Sequence, residues 1–196
     1  LKILEIISKF TKKDAELILT DGNGYHYNAR ITNVDKRRCQ VVIINKTKQE
    51  KHNYFLHIAI SPTKNIDRFE WFLEKATEIG IDKITPIITH YSERRKIKQE
   101  RCQKIIISAM KQSIKFYQPK LRPICSFQDF IEEKKSETRY IAHCHKSQKT
   151  PLKDIKKKKD SVILIGPEGG FSKDEITKAL EYNYNPISLG NTRLRT

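Results

Sequence analysis

The segment SVILIGPEGGFSKDEI, residues 161–176, combines an apolar run, a glycine-rich turn and the signature of a helix start. The run VILI predicts a buried strand. Ser172, followed three residues later by Glu175, predicts a capping box at the first turn of a helix. Between the two, Gly169 and Gly170 allow the backbone of a turn to come close to another group. A strand, a turn and a helix in this order predict an α/β fold.

The same alternation of strand and helix extends over residues 54–196. The runs FLHIAI, KITPIIT, RYIAHC and PISLG predict strands, and NIDRFEWFLEKATEIG and QERCQKIIISAMKQSIKF predict helices. In the first of these helices Asp67 and Glu70 have the spacing of a capping box, and Gly80 predicts the helix end. We therefore expect one α/β domain with a mostly parallel sheet over residues 54–196.

Residues 1–53 have a different pattern, made of the short β-rich runs DAELILT, YHYNARITNV and CQVVIINK. Asp21-Gly22 and Asn23-Gly24 are strong turn formers between such runs. These runs predict a small antiparallel sheet or a barrel of five or six strands that precedes the α/β domain.

The charge of the chain points to a polyanionic partner. The 196 residues include 39 Lys and Arg against 23 Asp and Glu, which gives a formal net charge of +16. Nucleic acid is the first candidate for such a balance. The alternative is a lysine-rich composition without functional meaning, because charge alone gives no specificity. No apolar run approaches eighteen residues, so the sequence predicts no membrane span.

The cysteines and histidines do not predict a metal site. The four cysteines lie far apart and form no C-x-x-C pair, which argues against both a zinc site and a disulfide framework. His143 and His145 would share a face of a strand, but the sequence offers no third ligand. We expect buried free thiols in a reducing cytosol and no metal.

The glycine-rich turn is unsuited to phosphate. It lacks the lysine of a Walker motif and the G-x-G-x-x-G spacing of dinucleotide-binding turns. Glu168, at the centre of the turn, would repel a phosphate group. A ligand without phosphates, or one that carries a positive charge, removes this conflict. The alternative is a tight strand-to-helix turn that binds no ligand.

Small or polar residues follow three of the predicted strands. They are the turn after Ile165, the segment from His143 to His145, and the loop that begins at Gly190. In open α/β sheets the carboxyl ends of neighbouring strands form the ligand crevice. We therefore expect these three strand ends to form one site.

The segment LIGPEGGFSKDEI followed by SLGNTRLRT resembles the RsmE family of 16S ribosomal RNA uracil-N3 methyltransferases, within the SPOUT superfamily. The upstream segments KATEIGIDKITPIIT, SERRK and AMKQSIKFYQPKL resemble the same family, so that the resemblance covers nearly the whole chain. GPEGG alone is shared more loosely with other SPOUT enzymes.

This resemblance implies a SPOUT-type α/β domain with a trefoil knot over residues 54–196 and a PUA-like, RNA-binding β-barrel over residues 1–53. It also implies a cytoplasmic homodimer that acts on the small ribosomal subunit, with S-adenosylmethionine as cofactor and without a metal. The family pattern continues with Glu-Thr-Ala and a final helix after RLRT, and we expect that knot helix to be missing from these 196 residues.

The resemblance further implies roles for individual residues. Arg195 is expected to stabilise the uridinate that develops during transfer, or else to bind phosphate. The candidate base is Glu168 or the missing glutamate of the Glu-Thr-Ala segment. The expected cofactor contacts are Ile165, Gly166, Pro167, Glu168, Gly169, Ser188, Leu189, Gly190, Leu194 and Thr196. The expected RNA contacts are Arg30, Lys36, Arg37, Arg38, Arg94, Arg95 and Lys96.

Three functions remain open at this point. The first is methylation of N3 of a uridine in 16S ribosomal RNA. The second is a non-catalytic module for RNA binding or ribosome assembly. The third is methylation of another RNA, such as a transfer RNA, by a SPOUT enzyme.

Overall fold

The structure is a computed structural model, and it describes residues 4–5, 13–34, 38–134, 136–155 and 160–190. These residues form an antiparallel sheet, a parallel sheet and four α-helices. The antiparallel sheet contains β1 (Leu4–Glu5), β2 (Glu16–Thr20), β3 (Tyr25–Val34) and β4 (Cys39–Lys48) in that order.

The turn between β2 and β3 confirms the predicted Asp-Gly and Asn-Gly signals. Gly22 and Gly24 have φ values of 75° and 94°, in the left-handed region that glycine adopts at little cost. The Asn23 N–H donates to Asp21 Oδ1 at 2.8 Å. The described residues here form a four-stranded antiparallel sheet, and its closure into a barrel stays a prediction.

Strand β4 lies at the edge of this sheet, and among the described strands it pairs with β3. Its apolar side chains Val42, Ile43 and Ile44 are 50%, 44% and 53% exposed. Towards its end, the Lys46 ammonium lies 4.2 Å from the ring centroid of Tyr25, a cation–π contact.

The remaining strands of the described residues form the parallel sheet. They are β5 (Phe55–Ile60), β6 (Lys83–Ile88), β7 (Lys120–Leu121), β8 (Cys125–Ser126), β9 (Thr138–Ala142), β10 (Thr150–Pro151), β11 (Asp160–Ile165) and β12 (Asn185–Ser188). The main order is β10-β12-β9-β11-β5-β6-β7, and β8 pairs with the end of β6. The α/β fold with a mostly parallel sheet is confirmed.

Helices cover both faces of the parallel sheet. They are α1 (Ile66–Ile79), α2 (Gln99–Ser113), α3 (Phe127–Glu132) and α4 (Lys173–Glu181). Successive side chains of a strand point to opposite faces. Thus Ala59 packs in one core cluster with Phe130 of α3 and Ala179 of α4, while Ile60 packs in the other with Leu73 of α1. In the described part of the chain, no helix combines the length and apolarity needed to cross a membrane.

The start of α1 differs from the sequence prediction. Asn65, not Asp67, is the N-cap, and its side chain accepts a hydrogen bond from the Asp67 N–H at 3.0 Å. The predicted capping box at Asp67 and Glu70 is therefore wrong: both residues lie inside the helix, and Glu70 instead binds Arg101. The helix ends at Gly80 as predicted, with a left-handed φ of 108°.

Candidate functional site

The three predicted strand ends lie side by side. At the carboxyl end of β9, Ala142 pairs with Ile165 of β11 on one side and with Ile187 of β12 on the other. The three ends therefore lie at one edge of the sheet, and their combination into one ligand site stays a prediction. The segments that leave this edge are the turn after Ile165, the loop after Ser188, and residues 143–149.

The turn after β11 is too tight for side chains larger than glycine at two positions. A Cβ on Gly166 would lie 2.9 Å from the carbonyl carbon of Gly170, and one on Gly169 would lie 2.9 Å from Cβ of Tyr91. Gly170 has a φ of 72°, and its N–H donates to the Pro167 carbonyl at 2.8 Å. These contacts fix the turn as a compact unit whose backbone is accessible on its outer side.

Buried hydroxyl groups connect the loops after β5 and β6 to the same edge. The Ser61 N–H donates to the Ile165 carbonyl at 3.0 Å, which joins the β5 loop to the end of β11. The Ser61 Oγ lies 2.7 Å from Ser92 Oγ, which in turn accepts the Thr89 N–H at 2.8 Å. The wall of the site is therefore held by hydrogen bonds between buried groups.

Glu168 contacts the loop after β5. Its carboxylate accepts the Lys64 N–H at 3.1 Å, and the Glu168 side chain is otherwise exposed. The Lys64 ammonium pairs with Glu93 at 2.9 Å. Glu93, with a smaller contribution from Glu168, raises the pKa of this ammonium. A carboxylate and an ammonium thus lie together beside the turn.

Glu175 confirms the predicted capping box and has a second role. Its Oε2 accepts the Ser172 N–H at 2.8 Å, while Ser172 Oγ accepts the Glu175 N–H. Its Oε1 accepts the His90 N–H at 2.7 Å, from the loop after β6. One carboxylate, 9% exposed, therefore satisfies backbone donors of two separate segments.

His143 is the first residue after β9. It is 8% exposed, and neither of its ring nitrogens has a hydrogen-bond partner. Burial, together with the nearby charges of Lys149 and His145, lowers the pKa of His143 to about 4. The ring is therefore a neutral imidazole at pH 7, with one N–H donor and one nitrogen acceptor. By contrast, His145 is exposed and its Nε2 lies 3.0 Å from the Phe171 carbonyl oxygen.

The described cofactor candidates lie at two adjacent parts of this edge. Ile165 ends β11, Gly166 and Pro167 are buried, and Glu168 and Gly169 are exposed. Ser188 ends β12, and its Oγ donates to the Gly190 carbonyl at 2.8 Å. Leu189 is exposed. The other three candidates with predicted roles lie outside the described residues: Leu194, Arg195 and Thr196.

The predicted RNA contacts are divided between the two sheets. Arg94 donates to the carbonyls of Thr63 and Lys64, at 3.1 and 2.7 Å, and so anchors its own loop. The exposed residues Arg95 and Lys96 follow it in that loop, between β6 and α2. The candidates in or beside the antiparallel sheet are Arg30, which pairs with Glu16 at 3.0 Å, and the exposed Arg38, while Lys36 and Arg37 lie outside the described residues.

In the described part of the chain, the three strand ends carry no recognisable metal centre, and the cavity described below lies away from them. Within the ranges that the structure describes, no group of three or more His, Cys, Asp or Glu side chains is placed to hold a metal ion. The four cysteines are free thiols, but the prediction that they are buried is wrong for Cys39 and Cys144, which are exposed. A cavity of about 340 Å³ lies near the opposite edge of the sheet, at the starts of β5 and β6, and includes Lys51 and Asp82 in its lining. It is separate from the three strand ends.

Sequence reasoning missed two contributors to the site. Tyr91, which packs on Gly169, immediately precedes the quoted SERRK segment. Lys64, which binds Glu168 through its N–H, lies in the loop after the predicted strand FLHIAI. The sequence signal for both was their place directly after a predicted parallel strand.

A sequence profile of the RNA methyltransferase domain family matches residues 48–196. The chain is 30% identical to ribosomal RNA small subunit methyltransferase E of Rickettsia conorii, over 91% of this chain and 74% of that relative. It is 29% identical to the protein of the same name from Buchnera aphidicola, over 97% of this chain and 78% of that relative.

Two solved structures are similar over nearly the whole chain. A probable rRNA methyltransferase from Porphyromonas gingivalis is 40% identical, with a TM-score of 0.88, over 95% of this chain and 80% of that one. A ribosomal RNA small subunit methyltransferase E from Neisseria gonorrhoeae, bound to S-adenosyl methionine, is 28% identical, with a TM-score of 0.82, over 95% and 79%.

The close approach of Gly166 to Gly170 leads to a first prediction. We expect Gly166→Ala to lower the free energy of unfolding by about 1–3 kcal/mol, because the added methyl group meets backbone atoms that cannot rotate away. Gly170→Ala is the contrast: its Cβ meets no neighbour within 4 Å, so that only the left-handed φ opposes it, at about 1 kcal/mol. Urea denaturation of both variants measures the difference. A smaller loss for Gly166→Ala than for Gly170→Ala would contradict this packing.

The buried neutral His143 leads to a second prediction, on pH. Its folded-state pKa lies near 4, below the value of about 6.5 in an unfolded chain, so the unfolded state binds more protons between these values. Protonation of the buried His143 therefore costs stability as the pH falls from 6.5 towards 4, and this cost is absent above pH 6.5. Between pH 7 and 4.5 both proteins should lose stability. We expect the loss in free energy of unfolding to be smaller for His143→Leu than for the wild type, by roughly 1–3 kcal/mol. Equal pH dependence of the two proteins would refute it.

Proposed function

The chain belongs to the ribosomal RNA small subunit methyltransferase E family, and from this premise we propose that it transfers a methyl group from S-adenosylmethionine to N3 of a uridine in 16S ribosomal RNA. The observation that carries the proposal is the edge formed by β9, β11 and β12. There, a turn without room for side chains at Gly166 and Gly169 presents its backbone beside a carboxylate.

The residues at this edge fit S-adenosylmethionine. A bound phosphate would face Glu168, whereas the cofactor has no phosphate and carries a positive charge. Gly169 is exposed in the turn, so its backbone groups are accessible to a ligand, and His143 offers buried polar atoms without partners. The Neisseria relative, which is bound to S-adenosyl methionine, supports the same choice. The proposed contacts are the ten residues named above from Ile165 to Thr196.

When bound, S-adenosylmethionine supplies an electrophilic methyl group on a sulfonium. The remaining task of the chain is to hold the uridine in line with that methyl group and to accept its N3 proton. Glu168 is exposed and is held by the Lys64 N–H, so its carboxylate is fixed yet accessible to a proton. We assign the role of base to Glu168, and the stabilisation of the developing uridinate to Arg195.

The basic loop between β6 and α2 positions the RNA in this proposal. Arg94 fixes the loop to the carbonyls of Thr63 and Lys64, beside the turn. Arg95 and Lys96, which are exposed and take no part in the contacts of Arg94, bind phosphates. Phosphate contacts orient the RNA without reading its sequence. Arg30 and Arg38 extend this contact from the antiparallel sheet, and Arg37 is proposed as a further RNA contact. The net charge of +16 is consistent with such a partner.

Family membership also supports the proposed architecture and assembly. We propose an RNA-binding PUA-like barrel over residues 1–53 and a SPOUT domain with a trefoil knot over residues 54–196. We further propose a homodimer that acts in the cytoplasm on the small ribosomal subunit. The insertion of β11 between β5 and β9 is the described feature most consistent with a knotted path, because the chain returns to the middle of an existing sheet.

A transfer assay tests the proposed function directly. The full-length protein is incubated with labelled S-adenosylmethionine and small ribosomal subunits that lack the modification, and the product is identified after nuclease digestion. We expect label on N3 of uridine. Cofactor binding without transfer to this RNA would reject the proposed substrate and favour another RNA or a binding role. Absence of cofactor binding would reject the enzyme itself.

A matched pair of variants tests the role of Glu168. We expect Glu168→Gln to lower kcat about 100-fold or more, because the amide cannot accept the N3 proton, while the dissociation constant of the cofactor changes little. Asp174→Asn, which removes an exposed carboxylate in the first turn of α4, is the control and should leave kcat unchanged. A Glu168→Gln enzyme with wild-type kcat would exclude Glu168 as the base.

A further inference from the structure

His143 has the most unusual environment among the described titratable residues at the candidate site. Its ring is 8% exposed, yet Nδ1 and Nε2 both lack a hydrogen-bond partner. Burial of a polar group without a partner is costly, and such groups in folded proteins commonly belong to a binding site or to bound water. The structure therefore leaves two hydrogen-bonding atoms available at this position.

The position of His143 in the sheet is central to the proposed pocket. Its neighbour Ala142 pairs with Ile165 and with Ile187, so β9 lies between the two strands that lead to the glycine turn and to the loop at Gly190. A ligand that contacts both of these segments must cross the end of β9. His143 is the first residue after that strand end.

The protonation state of His143 limits what it can bind. The low pKa, about 4, leaves the imidazole neutral at pH 7. A neutral ring brings no positive charge near a sulfonium, and it offers one donor and one acceptor. Ribose hydroxyls and the edge of adenine present the complementary pairs of acceptor and donor.

We propose that His143 is a cofactor-contacting residue whose neutral imidazole hydrogen-bonds the adenosine part of S-adenosylmethionine. This inference rests on the proposed function, because it assumes that the three strand ends bind that cofactor. It adds a side-chain contact to a pocket whose other described candidates act largely through backbone groups. His143 thereby sets the affinity for any ligand that carries adenosine, independently of the methyl group.

The experiment measures binding in the full-length protein by calorimetry, with S-adenosylmethionine, S-adenosylhomocysteine and 5′-methylthioadenosine as probes. We expect His143→Leu to weaken all three by about 10-fold, the loss of one hydrogen bond to a buried partner. His143→Gln, which retains a donor and an acceptor, should stay within about 3-fold of the wild type. His52→Gln, a change of a histidine near the opposite edge of the sheet, is the control and should bind like the wild type.

Two further readouts separate a ligand contact from a structural role. The NMR signals of the His143 ring nitrogens should change their chemical shifts when S-adenosylhomocysteine is added. The ligand-free Tm of His143→Leu should equal or exceed that of the wild type, because two unsatisfied polar atoms are removed. Unchanged affinity of His143→Leu for all three probes would overturn the inference while leaving the proposed function intact. A wild-type protein that binds none of the probes would overturn both.

Discussion

The central position of β11 is the constraint on which the rest of the structure depends. This strand pairs along its whole length with β5 on one side and, from Ser161 to Ile165, with all of β9 on the other, so it cannot shift along its axis without breaking both ladders. The turn after it must leave the sheet between two neighbours. Because Gly166 and Gly170 approach so closely there, the direction of the turn is fixed by backbone contact rather than by side-chain packing. The loops around the site are arranged around that fixed turn.

A few polar groups hold those loops in place. Glu175 caps α4 and also binds the His90 N–H, so the start of the helix and the loop after β6 share one carboxylate. Ser61 and Ser92 connect the loops after β5 and β6 across a buried hydrogen bond. Arg94 and Glu168 bind backbone groups of Thr63 and Lys64. Charged and polar side chains that look like candidates for catalysis or binding in the sequence thus partly serve to stabilise the loops of the site.

The local sequence pattern was enough to predict features, such as helix caps and helix ends, that depend on residues close together in the chain. Ser172 and Glu175 lie in one turn of helix, so their capping box was predicted from spacing alone, and Gly80 was predicted as a helix end for the same reason. At α1 the residue types alone do not distinguish two caps, because Asn and Asp are both favoured at the N-cap. The structure selects Asn65, whose backbone is extended.

Features that depend on distant parts of the chain were beyond the sequence. The order β12-β9-β11-β5 is set by packing between segments that periodicity treats as independent. The contact of Tyr91 with Gly169 joins different loops, and the burial of His143 without a partner is a property of the assembled edge. Family resemblance supplied the cofactor and the substrate class, which no spacing of residues in one chain could specify.

The exposed edge strand β4 has a consequence for how the protein behaves in solution. Ten residues of strand, with Val42, Ile43 and Ile44 at the surface, resemble a template for strand addition by a second molecule. The large positive charge opposes such an encounter through mutual repulsion of like-charged molecules. Salt weakens that repulsion, and so does a bound polyanion. Colloidal stability is therefore expected to be greatest in dilute buffer and to decline as the charge is neutralised.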